Sequence, residues 1–380
     1  MPSYSGVWTL QAQMQNVAAG NWTGLPPVGL FTWGYNTNGQ LGLNDTVNRS
    51  SPVQVGEDAG WAKVSTGRFF STAIKTNGQL WSWGNNAAGQ LGQGNTTYRS
   101  SPVQVGALTD WSQVSAGEII CAAIKTSGTL WSWGANSFGQ LGQGNTTYRS
   151  SPVQVGALTD WAQVSAGANF CAAIKTNGTL WSWGYNGTGE LGQNIAVATN
   201  RSSPVQVGAL TDWAQVSANY NSCVAIKTNG TLWSWGANNY GQLGHNDTVD
   251  RSSPVQVGAL TDWSQVSAGT QFCAAIKTNG TLWTWGRGSL GRLGQGNVIN
   301  SSSPVQVGAL TDWAQVASGN GLCRAIKTNG TLWTWGNGSS GSLGHNNTIS
   351  LSSPVQVGAL TNWTGLNQGA TSFHAAAIST

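Results

Sequence analysis

Apolar and polar positions along this chain alternate in short bursts that return about every 50 residues. In one such stretch, Trp111-Ser-Gln-Val-Ser115 alternates with period two, the pattern of a half-buried strand. Cys121-Ala-Ala-Ile-Lys125, Leu130-Trp-Ser-Trp133 and Pro152-Val-Gln-Val155 predict three further strands. We call the four strands A to D. The phrase Ser-Pro-Val-Gln-Val-Gly marks strand D seven times, with its proline at 52, 102, 152, 204, 254, 304 and 354. A proline heading a strand withholds a ladder donor, which suits a strand start or a sheet edge. Between strands B and C, Asn177-Gly178 and Asn229-Gly230 predict a tight hairpin of type I′.

Four antiparallel strands in each of seven units predict an all-β, seven-bladed β-propeller. The ends of the chain predict how the ring closes. Phe31-Thr-Trp-Gly34 and Pro52-Val-Gln-Val55 supply only strands C and D. Trp363-Thr-Gly-Leu366 and His374 to Ile378 supply only A and B. A two-plus-two strand clasp therefore joins the N- and C-terminal segments, with the propeller over residues 28–380 and a separate arm over 1–27. Twenty of the 22 tryptophans occupy repeat positions. Members of each strand-C pair share a face and are expected to pack on the next blade.

Composition narrows the function. Only 7% of residues are charged and the net charge is +4, with no Lys/Arg cluster. This argues against a nucleic-acid partner. No apolar run of about 18 residues exists, so membrane insertion is not expected. Nor is there a basic and apolar N-terminal signal, which points to assembly in the cytoplasm. Cys121, Cys171, Cys223, Cys273 and Cys323 take one slot in successive copies and read as buried, reduced thiols. His245, His345 and His374 stand in no catalytic or metal-binding motif. No cofactor, no metal and no enzymatic activity are expected.

The copies can be compared with one another. The B–C turns and D–A links share one face of the disc and barely vary. Gly-Ala-Leu-Thr-Asp-Trp recurs five times, and a lysine precedes the turn at 75, 125, 175, 227, 277 and 327. On the opposite face the A–B and C–D links diverge. The A–B links contribute Arg68, Phe69 and Phe70, then Glu118, then Asn169 and Phe170, then Asn219 and Tyr220, then Phe272. The C–D links contribute Tyr35, Phe138, Tyr185, Tyr240 and Arg287. Aromatic, Asn, Ser and Gly residues give binding loops contact area and adaptable hydrogen bonds. These residues form the candidate binding face.

The motifs also carry a resemblance. Trp-Gly is followed by Gly-Gln-Leu-Gly (Gly89 to Gly92, Gly139 to Gly142, Gly241 to Gly244), with Val-Ser-Ala-Gly upstream of an Ala-Ile hairpin. Over residues 28–380 the chain resembles the regulator of chromosome condensation repeat family. That resemblance implies a seven-bladed propeller. It also implies that the family's histidine after the A–B glycine is Cys in five copies and Ser71 in another, with His374 alone retaining it. The founding member is a guanine-nucleotide exchange factor that binds chromatin, so a cellular interaction scaffold or exchange factor is one expectation. In the arm, Val7, Leu10, Met14 and Val17 fall on one helical stripe with Trp8 beside them, a candidate partner-docking helix. Ser5-Gly-Val-Trp-Thr-Leu-Gln is similar to the start of structural proteins of tailed bacteriophages. The leading expectation is therefore a non-enzymatic virion component. Its arm would meet other virion proteins, and its variable face would meet a host surface protein or glycan. A glycan-binding propeller is the third.

Overall fold

A computed structural model describes residues 28–366, 369 and 371–380. Seven four-stranded antiparallel sheets stand around an axis. Blades 1 to 6 span 61–104, 111–154, 161–206, 213–256, 263–306 and 313–356, each in the order A-B-C-D. Blade 7 is the clasp. Trp363–Leu366 and His374–Ser379 pair with Gly29–Gly34 and Arg49–Gln54, and the closing ladder runs from Gly29 opposite Ser379 to Gly34 opposite His374.

Alternation along the strands produces the inter-blade core. Ile120, Ala122, Ile124 and Leu130 of blade 2 meet Trp161, Val164, Cys171 and Trp183 of blade 3. The strand-C tryptophan pair thus packs on the preceding blade rather than the next. Its inner member is fully buried in every blade. Each inner indole donates across the interface to the carbonyl in the Gly-Gln-Leu-Gly slot of the blade before. Trp183 Nε1 reaches Gln140 O at 2.9 Å, and Trp33 closes the circle on Ser342 O at 3.0 Å. Nearer the axis, strand-A serines bond the next strand A, as in Ala166 N to Ser115 Oγ at 2.9 Å and Ala218 N to Ser165 Oγ at 2.9 Å. The five cysteines are free and buried, and burial holds their thiols well above the ordinary range.

The B–C hairpin differs from the expected type I′ turn. Its loop has three residues, Thr176-Asn177-Gly178, closed by Gly178 N to Lys175 O at 2.9 Å and Lys175 N to Thr179 O at 3.0 Å. Only the glycine has positive φ, +75°. This is a type I turn followed by a left-handed glycine, the usual three-residue solution. It explains why Ser127 serves in blade 2, since the residue before the glycine needs no unusual backbone.

On the invariant face the turn lysines are drawn inward. Lys125, Lys175, Lys227, Lys277 and Lys327 are buried, each ammonium lying over two tryptophans. Lys175 Nζ sits 5.0 Å from the Trp161 ring centroid and 4.5 Å from that of Trp181, with Asp160 at 3.3 Å. A long stem threading apolar surface to a half-exposed carboxylate is snorkelling turned inward. No helix among the described residues is long and apolar enough to cross a membrane.

Candidate binding face

The C–D links are pinned from beneath. Leu141 of Gly-Gln-Leu-Gly is buried in the core, and its N–H donates to Asn136 Oδ1 at 2.9 Å. Asn136 Nδ2 in turn donates to Asn145 O and Thr147 O, both at 3.0 Å. The frame is thereby fixed while the residues above it vary. The A–B links lie beside these loops, as the bond from Tyr185 N to Asn169 O at 2.9 Å shows.

Three aromatic groups bridge neighbouring blades on this face. Tyr35, Phe69 and Phe373 cluster around the 7–1 junction, with Phe69 stacked on Phe373 at 5.5 Å between centroids and Tyr35 5.8 Å from Phe69. The Arg68 guanidinium lies 5.0 Å from the Phe69 centroid and pairs with Glu118 of blade 2. Phe138 meets Tyr185 edge-on at 4.9 Å. Arg287 lies 4.9 Å from the Tyr240 centroid and donates to Gln271 Oε1 at 2.7 Å. These rings are partly exposed, a geometry in which a cation–π contact adds ~0.5–1 kcal/mol of local order.

Charge is segregated between the two faces. Arg49, Arg68, Arg99, Arg149, Arg201, Arg251, Arg287 and Arg292 all stand in the A–B or C–D links or at the adjoining start of strand D. Five carboxylates share that face (Asp45, Glu118, Glu190, Asp247 and Asp250), leaving it at +3. The opposite side carries all seven lysines against seven carboxylates and is neutral. Arg324, inside strand B of blade 6, completes the net +4. The loop face is thus an arginine face with aromatic anchors.

The structure corrects several members of the expected site. Phe70, Phe170 and Phe272 open strand B and are fully buried, so they are core residues. Glu118 is nearly buried, and buried Asn219 spends its amide on Ser222 N and Oγ. Tyr35, Arg68, Phe69, Phe138, Asn169, Tyr185, Tyr240 and Arg287 are partly exposed, and Tyr220 is exposed. His374 does not retain the family's histidine slot. It lies opposite Gly34, whereas Cys323 lies opposite Trp335, so Ala375 fills the slot in blade 7. Trp8, Leu10, Met14 and Val17 lie outside the described residues. Sequence reading missed Phe373, which shows as a partner of Phe69 only once the split blade is aligned. It also missed Arg292, which replaces glutamine in a Gly-Gln-Leu-Gly motif and is buried at the tip of blade 5. His245 and His345 are structural: each accepts the role of a glutamine in other copies, bonding the strand-C hydroxyl of Ser234 or Thr334 at 2.9 Å.

The model of the RCC1-like domain matches residues 29–377. The chain belongs to the RCC1-like domain family. Human WBSCR16 superposes with a TM-score of 0.82 at 22% identity, covering 92% of this chain and 98% of its own. Prp20p from Saccharomyces cerevisiae, studied with its binding to Gsp1p and histones, superposes with a TM-score of 0.81 at 19% identity, covering 93% of this chain and 92% of its own. The same yeast protein with Kap60 bound gives 0.80 at 18% identity, covering 100% of this chain and 94% of its own. These likenesses establish the fold. No curated protein sequence matches the chain. Two concavities of this RCC1-like propeller, of about 450 and 470 Å³, lie in outer grooves between blades 2 and 3 and between blades 5 and 6. Both are lined by repeat positions such as Trp181 and Leu158, or Trp333 and Leu310, rather than by the divergent loops.

Proposed function

We propose that this RCC1-like propeller is a non-enzymatic binding disc that takes an acidic protein partner on its loop face. The observation that carries the reading is that every arginine but Arg324 lies on the one face where the copies diverge, with Arg68 and Arg287 set against the inter-blade aromatic groups. Arginine and aromatic anchors dominate interface energies, and truncating a central one typically costs at least ~2 kcal/mol. An electropositive face also steers an acidic partner and makes association salt-dependent. Prp20p, a relative in fold, is described as binding Gsp1p and histones. The virion reading is supported by the arm's sequence alone, and the glycan reading by loop composition alone.

Calorimetric titration with a small GTPase of the Gsp1p kind, and separately with basic histones as the charge control, tests the proposal. Wild type should bind the GTPase and not the histones, and Phe69→Ala with Arg287→Glu should weaken that binding at least tenfold. A nucleotide-release assay on the same GTPase separates an exchange factor from a passive binder. Binding by neither probe would remove the carry-over from the relatives. Undiminished binding by the loop-face variant would overturn the face itself.

A further inference from the structure

The third residue of strand B faces the next blade and is small or apolar in six blades: Thr72, Ala122, Ala172, Val224, Ala274 and Ala376. In blade 6 it is Arg324. This is the sharpest departure from repetition in the propeller body, and it places a cation in a core position. Arg324 is 0% exposed. Its Nη1 donates to His374 O at 3.3 Å, while Nε and Nη2 have no partner. No carboxylate among the described residues pairs with it.

A guanidinium stays charged in a protein, and an isolated buried charge is among the most costly arrangements a fold can hold. The neighbouring titratable groups cannot neutralise it. Burial, followed by the charge of Arg324, pushes His374 down to about 3, so it is neutral. Burial holds the Cys323 thiol protonated, up to about 12. Water would satisfy the two N–H groups but would leave the charge uncompensated.

Packing beside the guanidinium is less tight than at the matching point of four other blades. In blades 1, 2, 3 and 5, a Cβ added to the A–B glycine would come within 2.0, 2.1, 2.5 and 2.2 Å of another atom (Gly67, Gly117, Gly167 and Gly269). At Gly319 of blade 6 the nearest atoms are Ser372 O at 3.1 Å and Leu322 Cγ at 3.4 Å, with Arg324 Nη2 at 3.6 Å. In the facing link of blade 7, Thr371 Oγ1 is also buried and unpaired. Orphaned donors and a looser packing point therefore coincide at the junction where the ring is clasped.

We propose that a small monovalent inorganic anion of the chloride class lies against the Arg324 guanidinium at this junction, accepts hydrogen bonds from Arg324 Nε and Nη2, and acts as a structural counter-ion between blades 6 and 7. Polyatomic anions such as phosphate are excluded by complete enclosure. The sequence signal is plain in retrospect: one arginine where the other copies have alanine, valine or threonine.

Crystals grown in sodium bromide test the site directly. An anomalous bromide peak at hydrogen-bonding distance from the Arg324 guanidinium is expected. In solution, the urea midpoint of the wild type should rise saturably when gluconate is replaced by chloride at constant ionic strength. Arg324→Ala restores the residue found in most blades, so it should fold, and its midpoint should ignore the exchange. Water alone beside Arg324, or an identical chloride response in wild type and Arg324→Ala, would overturn the proposal.

Discussion

Replacing Lys175 by Met keeps the aliphatic stem and removes only the ammonium, which isolates what holds that charge. The Lys175 side chain is 7% exposed and its Asp160 partner is 39% exposed. Nζ approaches Asp160 Oδ1 to 3.3 Å, yet that oxygen has no aligned hydrogen bond. Two indole rings at 5.0 and 4.5 Å are therefore the principal partners. A desolvated cation over one ring contributes up to about 2 kcal/mol. Two rings, less the relief of no longer burying a charge, give a net loss of ~2 kcal/mol for Lys175→Met. Asp160→Asn, acting through a solvent-screened pair, should cost about 0.5 kcal/mol or less. Urea unfolding of both single variants and the double variant, in low and in ~1 M salt, measures the two contributions and their coupling. A surface ion pair would instead give a Lys175→Met loss below ~1 kcal/mol that shrinks in high salt and equals the Asp160→Asn loss. That result would refute the buried-cation account.

His374 sets an acid limit. Its folded-state value, lowered to about 3 by burial and then by Arg324, lies below its ordinary 6.5, so the unfolded chain binds the proton first. Stability should fall as pH drops from about 6.5 toward 3, and His374→Gln should flatten that part of the pH–stability curve. Gly178→Ala forces a side chain into φ +75° with Cβ 2.1 Å from Thr211 O. A loss of at least ~2 kcal/mol is expected, read as a lowered thermal midpoint. Deleting residues 363–380 leaves Gly29–Gly34 paired only with Arg49–Gln54 and opens its other edge. The exposed edge should then drive aggregation visible by light scattering, and a monomer with unchanged thermal unfolding would contradict the clasp.

Blade number, strand order and the clasp were legible because each rests on repetition, and a period-two pattern copied seven times averages out local ambiguity. What the sequence hid depends on position within the blade. Phe70, Phe170 and Phe272 sit next to divergent loops, but the first residue of strand B already points into the interface. The burial of the lysines before each turn was hidden because nothing in sequence spacing reveals that two tryptophans, 14 positions before and six after, fold over each one. Sequence alone puts His374 in the cysteine slot because the blade 7 link departs from the repeat length, and only strand register exposes the one-residue offset. The hairpin differed because Asn-Gly serves both two- and three-residue loops. Arg324 and Phe373 were visible as departures from the repeat, yet their meaning required knowing which neighbours meet across the junction.

Hydrogen exchange of the protein in complex with the partner that binds in titration tests the loop-face account most directly. The account predicts protection of the A–B and C–D links around residues 68–70, 137–141, 185–190 and 287–292. Exchange in the B–C turns and D–A links should stay unchanged. Protection confined to those turns and links, with the arginine face exchanging as in the free protein, would contradict it.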